Sequence, residues 1–342
     1  MSKRPDPNAA EATQRIPGVS IQRDQGEGRY VIVRGTEPRL NATLIDGERI
    51  PAPEANVRQV ALDVIPADLL QAIEVSKALT PDMDADAIGG SVNLVMKRAP
   101  DAFRAFGSLA GDYNRSLESW DQRSMSVTMG RRFDEGKVGA IVSASSSSTK
   151  RGNEDFEPVY TAGNLTDLDL RHYVVARRRN GATTSVDFRP AVNAQYTARG
   201  VYNYYIDDHE ERQRLRQRVG NRRLERELRD RTHVEHIWSA ALSGQHTFNA
   251  AGLDFKVSGA HADQKDPLTI ATIFRQSSVN FSPNVTPSTI DPDNIQANPQ
   301  NENLSAFTFN QQTRATNYAG ERDLDSLVDR PPERRQSVQS AR

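Results

Sequence analysis

Apolar and polar side chains alternate along much of residues 103–330. In residues 238–248 the even positions include Trp238 and Leu242, whereas the odd positions include Ser239. A period of two residues places the apolar set on one face of a β-strand and the polar set on the other. The alternation recurs in residues 138–147, 182–188, 196–206 and 253–261. This part of the chain is therefore predicted to be antiparallel β-sheet.

The sizes of the alternating residues favour one kind of β-protein over another. Small residues occupy many positions at which the core of a soluble sandwich would have large side chains. A transmembrane β-barrel instead directs apolar residues toward lipid and polar residues toward its lumen. We therefore predict antiparallel transmembrane β-barrel strands, and the alternative is a soluble antiparallel β-protein.

The connections between the predicted strands alternate in length. Eight strands are predicted, near residues 103–113, 120–133, 138–149, 171–189, 194–206, 232–248, 253–263 and 305–328. The short connections are residues 134–137, 189–193 and 249–252, and the long polar ones are residues 150–170, 207–230 and 264–304. Short periplasmic turns and longer extracellular loops are typical of outer-membrane barrels.

Residues 1–98 follow a different pattern, in which short apolar runs are separated by glycine and proline corners. Asp46-Gly47 suits a tight hairpin turn, and Gly89-Gly90 permits a sharp turn before the next apolar run. Val57–Val64 is a strand candidate, and Pro66–Leu70 begins with a helix-compatible proline. These features predict a compact α+β domain.

The motifs of this N-terminal domain resemble the plug domain of TonB-dependent outer-membrane receptors. They are Ile16-Pro17-Gly18, Val31-Ile32-Val33-Arg34-Gly35, Asp46-Gly47 and the run from Ala85 through Gly89-Gly90 to Asn93. Residues 80–90 also resemble a proteobacterial subgroup that scavenges complex carbohydrates. The resemblance implies an α+β plug inside a barrel of about twenty-two strands. It also implies structural roles for Gly35, Asp46, Gly47, Gly89, Gly90 and Asn93.

The resemblance also implies a function. It implies TonB-dependent active uptake of a bulky nutrient across the bacterial outer membrane, with an oligosaccharide favoured over a siderophore. The implied partners are the TonB energy-transducing complex, outer-membrane lipid and lipopolysaccharide, and an extracellular ligand, but no nucleic acid. No bond of the substrate is broken in such transport, so neither an enzyme activity nor a cofactor is expected.

The chain departs from the family pattern at both ends. Neither an apolar signal peptide nor a TonB-contacting peptide precedes the plug motifs, and about eight strands follow them. We therefore expect a fragment truncated at both ends, with a plug over residues 1–98, part of the barrel over residues 103–330 and a disordered tail over residues 331–342. The alternative is a non-transporting remnant whose plug acts only as a periplasmic binding module.

Two groups of plug residues are candidates for function. The resemblance implies plug arginines paired with barrel glutamates, and Arg34 is predicted to join such a network. The alternative for Arg34 is an exposed arginine at a strand end. Substrate contacts are predicted at the plug apex, where the alternative is solvated turn residues. The candidates are Arg39, Asn41, Glu54, Asn56, Arg58, Asp82, Asp84 and Asp86.

Charge and cysteine content exclude several other functions. Residues 210–231 contain nine arginines, but five acids dilute them and the whole chain has a formal net charge of -1. We predict a solvated extracellular loop there, and the alternative is a contact with lipopolysaccharide phosphates. The absence of cysteine excludes disulfides and thiolate sites. The run of alternating aspartates at residues 82–86 lacks the bidentate glutamate of a calcium loop, so no metal site is predicted.

Overall fold

The protein forms one large and two small β-sheets. The structure is a computed structural model. It describes residues 6, 8–54, 57–78, 87–115, 117–162, 164–248, 251–281, 299 and 301–329, with the side chains of residues 209 and 325–329 excepted. No helix in this described part of the chain is long and apolar enough to span a membrane.

The two small sheets and a short helix make up the N-terminal domain, called the plug below. Its elements are α1 (Ala9–Thr13), β1 (Val19–Asp24), β2 (Glu27–Val33), β3 (Asn41–Ile45), β4 (Glu48–Arg49), β5 (Leu70–Ser76) and β6 (Gly90–Met96). β1 and β2 form an antiparallel pair, and the other four strands lie in the order β4-β3-β6-β5. The pairing of β3 with β6 is parallel, and the others are antiparallel.

Local sequence signals account for the ends of several plug elements. The Asn8 side chain accepts a hydrogen bond from the Glu11 N–H at 2.9 Å and so caps α1. Asp46 and Gly47 both have positive φ, +50° and +82°, and make the predicted tight turn between β3 and β4. The predicted strand over Val57–Val64 is wrong. Residues 60–65 are all buried, and they include a 3-10 helix over Leu62–Val64 rather than an alternating strand.

The large sheet, called the wall below, contains eight antiparallel strands in chain order. They are β7 (Arg104–Asn114), β8 (Ser119–Phe133), β9 (Val138–Thr161), β10 (Asn164–Ala191), β11 (Ala194–Arg218), β12 (Arg223–Thr247), β13 (Gly252–Ser277) and β14 (Thr308–Asp329). This architecture confirms the predicted fold class, an α+β plug followed by part of an antiparallel barrel wall.

The alternation of side chains separates the two faces of the wall. Trp238, Leu242 and Val257 are about half exposed on the face away from the plug, whereas Ser143 and Ser239 are buried on the face toward it. We call these the outward face and the lumen face. In the described residues, no second sheet packs on the outward face. The described wall therefore lacks the second sheet of a soluble sandwich, one form of the soluble antiparallel β-protein that was the alternative.

Two polar segments predicted as long loops, residues 150–170 and 207–230, are mostly strand, and the third, residues 264–304, begins with strand. Residues 150–161 and 164–170 extend β9 and β10, and residues 207–218, 223–230 and 264–277 extend β11, β12 and β13. Opposite charges face each other across these extensions, as Arg214 and Arg216 face Glu227 and Glu225. β9 to β13 thus reach 24 to 28 residues, far more than the roughly 10 needed to cross a bilayer.

The hydrophobic core of the plug continues into the wall. Buried plug residues such as Leu62 and Leu94 belong to the same cluster as Val201, Tyr205 and Ile237 on the lumen face. Gly181 marks a close approach, since a Cβ there would lie 2.5 Å from the Leu69 side chain. The plug and the wall therefore share one core.

Candidate functional site

The plug carboxylate of Glu27 is held by three arginines of the wall. Arg151 Nε lies 3.0 Å and Arg177 Nη1 lies 2.9 Å from its oxygens, and Arg179 is the third partner. Arg177 and Arg179 converge because residues two apart on β10 share the lumen face. The Glu27 side chain is fully buried, so its negative charge is tolerated there only because these arginines pair with it.

The electrostatic balance at Glu27 favours the ionised carboxylate. Burial alone disfavours the charged form. The positive charges of Arg179, Arg177 and Arg151 outweigh burial and lower the pKa of Glu27 from 4.5 to about 2. Glu27 is therefore an anion throughout the physiological pH range.

A second plug residue, Arg29, reaches the wall two positions farther along β2. Arg29 Nη1 lies 2.7 Å from Asp24, and its other terminal nitrogen pairs with Glu54 and lies 3.5 Å from Glu235 of β12. The Tyr30 hydroxyl donates to Glu54 at 2.7 Å. Arg29 therefore makes the contact between a plug arginine and a barrel glutamate that was predicted for Arg34.

Glu235 is also part of a polar chain within the wall. His233 Nε2 lies 2.6 Å from Glu235 and its Nδ1 lies 2.6 Å from Asp266 of β13. All three side chains are nearly fully buried. We call Glu27, Arg29, Arg151, Arg177, Arg179 and Glu235 the upper latch.

The tip of the β3–β4 hairpin makes a separate contact nearer the short turns. Ser258 donates to Glu48 at 2.5 Å, and Lys256 pairs with Glu48 and donates to the Gly47 carbonyl at 3.2 Å. Arg199 of β11 lies 3.8 Å from Asp46. We call Asp46, Glu48, Arg199, Lys256 and Ser258 the lower latch, and the two latches together the seam.

Asp63 makes the stability of the seam pH-dependent. It is buried, and its backbone carbonyl accepts a hydrogen bond from Arg179 Nε at 2.6 Å. Burial raises the pKa of Asp63 from 3.8 to about 6, against the opposing charge of Arg29, and Glu235 adds to the rise. A raised folded-state pKa gives stability that is complete below pH 3.8 and is lost as the pH rises through about 6.

We therefore expect Asp63→Asn to flatten the fall in stability that the native chain shows between pH 4.5 and pH 7. Denaturant midpoints of plug unfolding, measured across that range, provide the test. Glu27 does not contribute there, because its lowered pKa moves its own titration to between pH 4.5 and pH 2. An equal slope in the native and Asp63→Asn chains would contradict this assignment.

Arg34 does not join the seam in the described residues. It is exposed, with φ of +54°, and it donates to the carbonyls of Ile88 and Gly89 at 3.3 and 3.2 Å. A network of Arg34 with a barrel carboxylate therefore stays a prediction. The available signal was the polar pair Glu27 and Arg29, which occupies alternate positions in an otherwise apolar strand.

The apex candidates among the described residues lie in different environments. Glu54 pairs with Arg29. Asn41 donates to the Val31 carbonyl at 3.0 Å and so stabilises the plug itself. Arg39 pairs with Glu37 at the surface, and Arg58 is exposed. The remaining candidates, Asn56, Asp82, Asp84 and Asp86, lie outside the described residues. Substrate binding by these residues stays a prediction.

The motif residues of the plug have structural partners. Asn93 accepts a hydrogen bond from the Gly47 N–H at 2.8 Å, and Asp46 accepts one from the Met96 N–H at 3.1 Å. These bonds connect the β3–β4 hairpin to β6 and so orient the lower latch. The other motif glycines, Gly35, Gly89 and Gly90, lie at the turns next to β2 and β6.

The arginine-rich segment is strand rather than loop. Arg212, Arg214, Arg216 and Arg218 share one face of β11, and this is the lumen face. Because these four side chains face the lumen, contact of the segment with lipopolysaccharide phosphates stays a prediction.

A domain seated against the lumen face of an antiparallel wall with an apolar outward face defines the class of plugged barrel proteins. Residues 1–91 match the family model described as TonB-dependent Receptor Plug Domain. The match lies within the N-terminal domain, which therefore resembles the plugs that this family model describes. No curated protein matches the chain.

Solved structures of plugged receptors resemble the chain at low identity. The ferric citrate transporter FecA in its unliganded form is 18% identical, with a TM-score of 0.42, and the match covers 96% of this chain and 52% of that one. A mutant of the ferric enterobactin receptor PfeA from Pseudomonas aeruginosa is 14% identical, with a TM-score of 0.46, and the match covers 95% and 54%. The chain thus spans about half the length of these proteins.

Proposed function

We propose that this chain forms the plug and part of the wall of a receptor that takes up a bulky nutrient across the bacterial outer membrane. TonB would supply the energy by pulling on the plug. The observation that carries the proposal is the seam, which holds a plug of the TonB-dependent type to the lumen face through buried ion pairs. An outward face suited to lipid supports the same function.

The ion pairs of the seam suit a plug that must separate from the wall and seat again. Charges separated from their partners regain hydration when water enters, which offsets part of the lost pairing. A purely apolar seam would have no such compensation, because separation would expose its whole area to water. The seam therefore stabilises the closed state specifically while allowing reversible opening under a pull.

The outward face supports the proposed location in the outer membrane. Tyr196 and Tyr204 of β11 are eight positions apart, which is about 26 Å along a strand, close to the height of an apolar belt. Exposed Tyr202 and Trp238 lie near the upper edge of this belt, as interfacial aromatics do. We propose contacts with outer-membrane lipid along it, and with lipopolysaccharide phosphates where Lys265 lies half exposed above it.

An oligosaccharide stays our proposed substrate class. It rests on the resemblance of residues 80–90 to receptors of carbohydrate-scavenging bacteria, whereas the names of the structural neighbours refer to ferric citrate and siderophores. A plug that acts alone as a binding module is less well supported. Its core includes Val201, Tyr205 and Ile237 of the wall, so a plug without the wall would expose apolar surface.

Energised movement of the plug provides the test of the proposed function. The chain has no cysteine, so Ser239→Cys introduces a single thiol, on the lumen face beside Glu48 and Arg49 of the plug. We expect a membrane-impermeant maleimide to label this thiol severalfold faster in energised cells with TonB than after treatment with a protonophore. The physical reason is that Ser239 is buried while the plug is seated.

The matched control is Gln213→Cys, at an exposed position of the neighbouring strand β11. Its labelling should be rapid and independent of the proton gradient. Equal labelling of Ser239→Cys with and without the gradient would reject energised uptake. It would instead favour the non-transporting remnant.

A further inference from the structure

The lumen face carries a dense arrangement of arginines in the strand extensions beyond the upper latch. On β10 the upper latch ends at Arg177, and the arrangement begins at Tyr173 and Arg171, farther from the short turns. Its eight arginines are Arg171, Arg212, Arg214, Arg216, Arg218, Arg229, Arg231 and Arg275. We call them, with the carboxylates that they share, the arginine lattice.

Carboxylates in the lattice are shared among several arginines. Asp169 pairs with Arg171, Arg214 and Arg216. Glu210, Glu225 and Glu227 each pair with two arginines. Asp155, Glu157 and Asp167 add single contacts at its edge. Four shared carboxylates thus serve eight guanidinium groups in the centre of the lattice.

Hydrogen-bond donors therefore outnumber acceptors. A guanidinium group has five N–H donors, whereas an ionised carboxylate offers about four acceptor positions. Four Nε groups are buried without an acceptor among the described residues, namely those of Arg171, Arg212, Arg214 and Arg229. The partly exposed side chains of Arg216, Arg218 and Arg275 face the same lumen.

We propose that the arginine lattice binds carboxylate groups of the transported ligand, so that the substrate is a carboxylated, anionic molecule. This inference deepens the proposed function and rests on it. A planar carboxylate matches the fork of a guanidinium group and can accept two parallel hydrogen bonds. Such a ligand offers charged acceptors to the partly exposed guanidinium groups, whereas a neutral sugar offers hydroxyls with weaker, uncharged hydrogen bonds.

Two sources could provide this chemistry, namely an acidic oligosaccharide and a small polycarboxylate. The test measures binding of trigalacturonate, citrate and maltotriose to the full chain in detergent micelles at low salt. We expect trigalacturonate to bind, with affinity that falls as salt is added. Maltotriose, a neutral sugar of the same length, should not compete. Stronger binding of citrate than of trigalacturonate would identify the small polycarboxylate as the source.

Substitutions on the two faces of the wall locate the site. Arg214→Gln and Arg216→Gln should each weaken trigalacturonate binding about tenfold or more, as expected for a lost charged hydrogen bond. Arg226→Gln is the matched control, because Arg226 lies on the outward face of β12 and pairs with Glu302 at 2.7 Å. The Arg226→Gln chain should bind trigalacturonate as tightly as the native chain does. Arg216→Lys, which keeps the charge but loses the fork, should have an intermediate affinity and confirm that the fold is intact.

Three results would overturn the inference: absence of binding by both anions, equal binding of maltotriose, or an equal loss in Arg226→Gln. These results are distinct from a failure of the proposed function. Binding is measured without TonB, whereas energised movement is measured by maleimide labelling at residue 239. Labelling that responds to the proton gradient, without anion binding, would reject the lattice and leave the transport function intact.

Discussion

Replacing Glu27 by glutamine should destabilise the seated plug by roughly 3–5 kcal/mol, the usual cost of breaking a buried ion pair from one side. The substitution removes one negative charge from three arginines, of which Arg177 and Arg179 are almost completely buried. Arg179 would lose the carboxylate with which it pairs, and Arg177 would keep, as its carboxylate partner among the described residues, Asp207 at the longer distance of 3.4 Å. Denaturant unfolding and the rate of protease cleavage within the plug both measure the effect.

Glu37→Gln is the matched control for this substitution. Glu37 is also a plug glutamate paired with an arginine, but Glu37 and Arg39 are 62% and 64% exposed. Exposed pairs of this kind contribute about 0–1 kcal/mol, so Glu37→Gln should leave plug stability nearly unchanged. If the two variants unfold at the same denaturant concentration, Glu27 does not hold the plug to the wall.

The second large effect is expected on the outward face of β12. Leu242→Arg should destabilise the membrane-inserted wall by about 2 kcal/mol, because it places a charge inside the apolar belt, between its lower edge and its middle. Leu242 points away from the plug and is 50% exposed in the absence of lipid. Unfolding of the chain in phospholipid vesicles, with each variant compared with the native chain, gives the free-energy difference.

The control for this experiment lies on the same face of the same strand. Leu228 is 51% exposed, but it belongs to the extension beyond the belt, where water replaces lipid. Leu228→Arg should therefore change stability by at most about 1 kcal/mol. A soluble β-protein would respond similarly to both substitutions, so equal effects at these two leucines would refute the membrane assignment.

The alternation of side chains predicted the two faces of the wall, since a strand places neighbouring residues on opposite sides regardless of what lies beyond it. Trp238 and Ser239 could be assigned in this way from the sequence. The extensions could not be assigned, because strands rich in arginine and glutamate have the composition of loops. Pairing across strands, such as that of Arg214 with Glu227, turns such a segment into sheet.

The sequence by itself determined that there is a plug, that eight strands follow it and that their apolar faces point away from it, because these properties depend on local periods and turn motifs. Only the tertiary structure decided which charges hold the plug in place. Glu27 and Arg177 are 150 positions apart, and Glu48 and Ser258 are 210 apart. The sequence around either residue of such a pair gives no indication of its partner. The pairing arises only when the wall curves around the plug.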